Sequence, residues 1–201
     1  MLIFLDRQHT GQINRLHSTG ASRDIDGDGK VEIHEMEAFY TPYYLLSAEI
    51  RLRELGYKTI FLSDGTYAER HKRCNEYQNQ HGGEAIYIAA HLNAGAGGGD
   101  GYGAMFYDHR STKGASLAKH ISEYTAAVLP ELKGKCKAIP AKSTDWTKNA
   151  YYCIKGVRAY AICAEPAFID SMAHRPLFNA SGMRRIGDCI ANGIHSFILG
   201  D

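Results

Sequence analysis

Ala85-Ile86-Tyr87-Ile88-Ala89-Ala90-His91-Leu92-Asn93-Ala94 decides the fold. Six apolar residues run straight into a histidine and a small-residue loop, the pattern of a buried strand that ends at a polar edge. Similar short apolar runs at 2–5, 59–62, 104–107, 151–154 and 160–164 bring the strand count to about six. Between them lie helical stripes. Leu45, Ala48, Leu52 and Leu55 share one face, and Gly56 stands where that helix should stop. Leu117, Ile121, Tyr124 and Val128 form a second stripe, and Ile186, Ile190, Ile194 and Phe197 a third. Helices alternating with single strands predict an α/β fold: one mostly parallel, twisted sheet with helices on both faces.

At 201 residues and 44% hydrophobic, the chain can bury one substantial core, so residues 1–201 are expected to form a single domain. A net charge of +1 excludes a general nucleic-acid surface. No stretch approaches membrane-spanning length, and a monomer is expected. Met1-Leu2-Ile3-Phe4-Leu5-Asp6 has no basic n-region and too short an apolar run for a signal peptide, which implies synthesis in a cytoplasm. The five cysteines (74, 136, 153, 163, 189) are odd in number and lack CxxC spacing. They read as reduced core thiols rather than disulfides or a cysteine zinc site.

Two polar regions do not read as scaffold: 10–35, long for a loop, and the glycine-rich 93–103, which lacks the Walker lysine. Within the first, Asp24-Ile25-Asp26-Gly27-Asp28-Gly29-Lys30-Val31-Glu32-Ile33-His34-Glu35 matches the EF-hand calcium loop at its diagnostic positions. Asp24, Asp26 and Asp28 would give side-chain oxygens and Lys30 its carbonyl. Glu32 would act directly or through water, and Glu35 would close the shell. Gly29 stands at the sharp turn, and Val31 where a small apolar contact is usual. The loop is solitary and lacks a good entering helix, so a structural calcium ion is expected rather than a calcium switch.

His9 follows the first strand and His91 ends the third. In a parallel α/β sheet the carboxyl ends of strands gather functional groups, so both imidazoles could meet in one crevice. Two histidines, a carboxylate and an open position make a catalytic zinc shell. On the residues alone, buried structural histidines remain an equal reading, and Glu32, Glu35 and Glu37 all stand close enough to supply the carboxylate.

The order of motifs resembles the zinc-dependent N-acetylmuramoyl-L-alanine amidases of the type-3 family, found among cell-wall enzymes and phage endolysins. Asp6-Arg7-Gln8-His9-Thr10-Gly11 stands where the family has Asp-Pro-Gly-His-Gly-Gly, with Arg7-Gln8 replacing Pro-Gly. Glu69-Arg70 and Asn75 match its Glu-Arg then Asn. Ala89-Ala90-His91-Leu92-Asn93-Ala94 is similar to Ser-Ile-His-Ala-Asn-Ala, and Ala164-Glu165-Pro166-Ala167-Phe168 to Val-Glu-x-Gly-Phe. The resemblance implies zinc held by His9, Glu37 and His91. Family spacing to Gly56 selects Glu37, and the calcium loop, which claims Glu35 and part of Glu32, leaves the same residue. Thr41-Pro42 reads as an N-cap and first helical residue, placing Glu37 just before the helix.

Glu165 takes the family's catalytic acid/base position; the lesser reading of the residue by itself is a salt-bridged strand end. Asn93 either hydrogen-bonds substrate or caps its loop. Arg70 reads as a structural ion-pair partner. The resemblance further implies cleavage of the amide between N-acetylmuramic acid and L-alanine in peptidoglycan, in the manner of an endolysin that reaches the wall after release. Two other classes stay open: a calcium-binding protein on an inactive scaffold, and a zinc peptidase with another substrate. Because Glu35 and Glu37 are two residues apart, an ordered calcium loop should also fix the approach of Glu37 to zinc.

Overall fold

The computed structural model describes residues 1–9, 20–24, 28–96 and 100–200. Asp26 and the glycines at 97–99 lie outside the described residues, as does 10–19. The elements run β1 (Leu2–Arg7), α1 (Glu37–Glu54), β2 (Lys58–Leu62), α2 (Tyr67–His81), β3 (Ala85–Ala90), β4 (Gly103–Asp108), α3 (Thr112–Val128), β5 (Cys136–Ala141), α4 (Lys148–Ile154), β6 (Tyr160–Glu165) and α5 (Ala180–Leu199). The six strands form one sheet in the order β2-β1-β3-β6-β4-β5. All pairings are parallel except β4 with β6, so β4 and β5 run against the other four.

Each central strand is buried on both faces, which explains its unbroken apolar run. Ile3, Leu5, Ile86, Ile88 and Ile162 point to one layer, where Leu45, Leu52, Leu117, Ile186 and Ile190 of α1, α3 and α5 cover them. Phe4, Tyr87, Ala89 and Cys163 point the other way, against Cys74 of α2 and Ala150, Cys153 and Ile154 of α4. Helices therefore lie on both faces, as the sequence predicts. Among the described residues no helix is long and apolar enough to cross a membrane. All five cysteines are free and four are buried.

Several local expectations are corrected. Residues 151–154, expected as a strand, form the end of α4. The sixth strand is instead β5, a half-buried edge carrying Pro140, where a missing N–H is tolerated. A four-residue apolar run fits either state, and α4 buries Ala150, Tyr151, Cys153 and Ile154 at helical spacing. The α3 stripe is also rotated: Leu117 and Ile121 are buried, but Tyr124 and Val128 are exposed, and Ser122 and Thr125 take the inner face. Helix α2 has almost no apolar stripe; a capping box between Thr66 and Glu69 starts it.

Helix α1 begins at Glu37, five residues before the expected start, so Pro42 lies inside it. Proline cannot donate to the carbonyl of Ala38 one turn back. The guanidinium of Arg7 donates to that oxygen instead, at 3.0 Å. The helix ends as expected: Gly56 (φ 87°) donates to Arg53 and Tyr57 to Leu52, a Schellman closure.

Helix α5 crosses α1 at a glycine. A Cβ at Gly187 would stand 2.3 Å from the carbonyl oxygen of Tyr44 and 2.7 Å from the amide nitrogen of Ala48. Glycine-to-alanine inside a helix normally stabilises by about 1 kcal/mol. Here backbone blocks the space, so Gly187→Ala is expected to destabilise by about 1–3 kcal/mol. Thermal or urea unfolding checks the sign; an unchanged or raised midpoint would show that α1 and α5 are not in this contact.

Candidate active site

Three neighbouring strand ends and one helix start build the site. Register pairs Arg7 with Ala90 and Ala90 with Ala164, so β1, β3 and β6 finish side by side. His9 lies two residues beyond β1, His91 one beyond β3, and Glu165 is the last residue of β6. The amide of His91 donates to Ala164 at 2.9 Å, extending the ladder, and its carbonyl accepts from the Tyr44 hydroxyl at 2.9 Å.

Upstream, a buried polar group fixes the exit of β1. Asp6 pairs with Arg70 at 2.7 Å and accepts from the hydroxyl of Tyr87 and the amide of Gln8. Burial raises the Asp6 carboxyl from its ordinary range, and the Arg70 charge opposes that. Arg70 also donates to the carbonyls of Gly65 and Gln8. Its role is the structural ion pair expected of it. Arg7 and Gln8, which replace the usual Pro-Gly, are thus tied to Ala38 and Asp6.

Glu37 opens α1, where a carboxylate suits the helix dipole, and is 2% exposed. Its Oε1 accepts from Leu92 N–H at 2.9 Å and its Oε2 from Ala21 N–H at 2.7 Å. Burial alone would raise this carboxyl; His91, His9 and the Ala21 amide outweigh it and hold it below its ordinary range. Oε1 lies 2.9 Å from Nδ1 of His91 and 3.5 Å from Nε2 of His9, and the two nitrogens are 3.2 Å apart. A tetrahedral ion with bonds of about 2.0–2.1 Å would separate such ligands by about 3.3 Å. Two imidazoles and a carboxylate at this spacing fit a zinc ion.

Glu165 faces the same groove, which encloses about 920 Å³. Its carboxyl is pushed up to about 7, chiefly by burial, with His91 opposing and Glu37 adding to the rise. A nearby dication would lower that value. The groove is also lined by Asn93, Tyr152 and Cys153. Asn93 Oδ1 accepts from Ala94 N–H at 2.8 Å, which makes it a loop cap; its side chain still borders the groove.

The family model for N-acetylmuramoyl-L-alanine amidases matches residues 3–196. The chain belongs to that family. Membership places it among the peptidoglycan amidases, which are hydrolases. Among solved structures, Cwp6 from Clostridium difficile is similar over 98% of the chain (TM-score 0.76, 22% identity), although the chain spans only 29% of Cwp6. The CwlD amidase from Clostridioides difficile, solved in complex with the GerS lipoprotein, is similar over 100% of the chain and 99% of its own (TM-score 0.74, 18% identity). The amidase AmiC2 of Nostoc punctiforme covers 99% and is covered to 97% (TM-score 0.73, 14% identity). These likenesses show a shared fold. No curated protein matches the chain.

Of the 24–35 segment, residues 24 and 28–35 are described. Asp24 accepts from Gly29 N–H and Asp28 from Lys30 N–H, both at 2.8 Å, and Gly29 has φ 86°. Glu35 is fully buried and accepts from Glu32 N–H at 3.0 Å, and Glu32, His34 and Glu35 place ligand atoms within 4.8 Å of one another. Val31 is 42% exposed rather than packed. The segment joins Glu37 directly: Arg23 N–H donates to the Glu35 carbonyl, Ser22 bridges Met36, and Glu37 N–H donates to the Ala21 carbonyl.

Sequence reasoning passes over Gly20 and Ala21. A Cβ at Gly20 (φ 70°) would stand 2.3 Å from Glu37 Oε2 and 2.8 Å from His9, so only glycine admits this approach. The reading also misses Tyr44, whose hydroxyl anchors His91. Nothing in the local pattern marks these residues, since their contacts cross the fold.

Behind Glu165, fully buried His174 accepts from Phe168 N–H through Nδ1 at 2.9 Å. Burial pulls it from 6.5 down to about 4, although Asp100, Glu131 and Asp170 pull upward. The unfolded chain therefore binds this proton more readily between those values, and stability falls as pH drops from 6.5 to about 4. The loss is at most roughly 3 kcal/mol. His174→Gln, whose amide oxygen can still accept from Phe168, is expected to flatten this acid dependence. Urea unfolding at neutral and acid pH compares the two proteins; equal slopes would remove His174 as the source.

Proposed function

We propose that residues 1–201 form one catalytic domain, a zinc-dependent N-acetylmuramoyl-L-alanine amidase that cleaves the bond between the lactyl group of N-acetylmuramic acid and L-alanine. The observation that carries the reading is the 2.9–3.5 Å triangle of His9, Glu37 and His91. Glu165 stands next in register, facing an open groove. When bound, zinc polarises a carbonyl and lowers the pKa of its water toward about 7.

The protein supplies the proton transfers and the positioning. Glu165 takes the proton of the attacking water and passes it to the departing amine of L-alanine. The partial burial that lifts its carboxyl toward neutrality suits both halves of that task. Asn93, with Oδ1 committed to the loop, has its amide N–H groups to offer a substrate carbonyl. The two N–H groups that hold Glu37 keep it from swinging toward the substrate.

Incubation with purified sacculi is expected to yield free muramic lactyl carboxyls and new N-terminal alanine. Glu165→Gln should lower that rate by about 10²–10⁴-fold while zinc remains bound. New amine termini without alanine would replace the reading with a zinc peptidase, and silence of the zinc-loaded protein would replace it with an inactive scaffold. The endolysin setting, synthesis in a cytoplasm followed by release to the wall, rests on the same resemblance. Lysis of cells upon induced expression with a holin, and not without one, checks it.

Calcium in the 24–35 loop, with ligands from Asp24, Asp26, Asp28, Lys30, Glu32 and Glu35, forms the second part of the proposal. The support is the direct backbone route from Glu35 through Arg23 and Ala21 to Glu37. Ordering this route beforehand reduces the entropy cost of assembling the zinc ligands. Asp24→Ala, or calcium-selective chelation, is expected to weaken zinc retention by about 10–100-fold, the scale of other supporting partners. Zinc affinity unchanged without calcium would sever the two sites.

A further inference from the structure

Two thiols that the sequence separates meet beneath the groove. Cys153 of α4 and Cys163 of β6 are 5% and 0% exposed. Their sulfurs and a ring nitrogen of His91 all lie within 4.8 Å of one another. Nδ1 of His91 faces Glu37 and His9, while its Nε2 is buried with no oxygen or nitrogen partner among the described residues, and the Cys153 thiol interacts with the ring. Oε1 of Glu165 is 3.8 Å from the Cys163 sulfur. The other three cysteines join no such group among the described residues.

We propose that His91, Cys153 and Cys163 form a second, sulfur-rich cation site that takes a thiophilic dication, and that filling it silences the His9–Glu37–His91 set with which it shares His91. Soft thiolates prefer zinc or cadmium over hard cations. As the cation enters, both thiols release their protons to solvent, and two thiolates leave the dication electrically neutral. The single proton of neutral His91 moves from Nε2 to Nδ1, so that the ring serves the new cation and no longer the first set. Neutrality favours a deeply buried position, whereas the first set contributes only one negative charge. Oε1 of Glu165 is close enough to the Cys163 sulfur for a cation held there to stand against the acid/base, and a water can complete four-coordination without adding charge. The same cation therefore engages a ligand and the acid/base together. Cys153, at the groove wall, gives the entry path.

Titration of the zinc-loaded protein with cadmium tests the site. The first set contains no sulfur, so replacement of its zinc cannot produce a thiolate-to-cadmium charge-transfer band. A band saturating at about one cadmium per chain is expected. Cys153→Ser and Cys163→Ser should each weaken the affinity at least about tenfold, the least that even outer partners of a metal are worth. Cys189→Ser should leave the band intact. X-ray absorption of the wild-type cadmium complex, which requires no substitution, should show two sulfur neighbours. Absence of sulfur neighbours, or a band that survives in both serine variants, overturns the site.

The silencing rests on the amidase reading and is measured separately, as release of N-terminal alanine before and after cadmium. Sulfur-bound cadmium with undiminished release overturns the silencing while leaving the site. An enzyme inactive before any cadmium is added instead contradicts the amidase reading.

Discussion

The grip on Glu37 is the constraint around which the rest of the site is arranged. Its carboxylate is buried, and a buried charge needs donors on both oxygens. Ala21 supplies one and Leu92 the other, from the segment before α1 and from just beyond β3. Neither donor can be removed by substitution of a side chain. The geometry is set by where two backbones pass, and Gly20 is what lets the first of them pass so close.

That dependence explains why the sheet and the segment before α1 have different tasks. Strands β1, β3 and β6 place His9, His91 and Glu165 through a register shared over the whole central sheet. A one-residue slip would turn every apolar side chain to the wrong face, so these three positions are strongly fixed. Helix α1 is less constrained by the sheet alone. Its start is defined by Arg7 on the Ala38 carbonyl and by the Ala21 backbone on Glu37. The fourth member of the constellation is thus set by contacts that the strand order does not dictate.

The division also accounts for what the sequence makes legible. Strand ends show themselves because an apolar run stops at a histidine or glutamate, as at Ala90-His91 and Ala164-Glu165. The contacts of Asp24 with Gly29 and of Asp28 with Lys30 are short in sequence and local in kind. Glu37 needed its neighbours to be accounted for first. Thr41-Pro42 mimics a helix beginning, and the acceptor that proline leaves idle is satisfied by Arg7, more than thirty residues away, so the true start of α1 is hidden. Residues 151–154 mislead because four apolar residues carry no period, and β5 lacks an unbroken apolar run because it is a half-buried edge. Gly20, Tyr44 and the Cys153–Cys163 meeting depend on long-range contacts and leave no local signature.

Departures from the family pattern fall where this logic permits. Replacing Pro-Gly by Arg7-Gln8 removes a stiff turn, but the new side chains restore restraint through Ala38, Asp6 and Tyr87. The residues after Glu165 also differ, yet Ala167 and Phe168 still pair with the Asn93 segment, and His174 holds Phe168 from behind. In both places a backbone preference has been exchanged for a hydrogen bond that reaches across the fold. Positions that only connect can therefore vary, while His9, Glu37, His91 and Glu165 cannot be moved without moving a strand or a helix end.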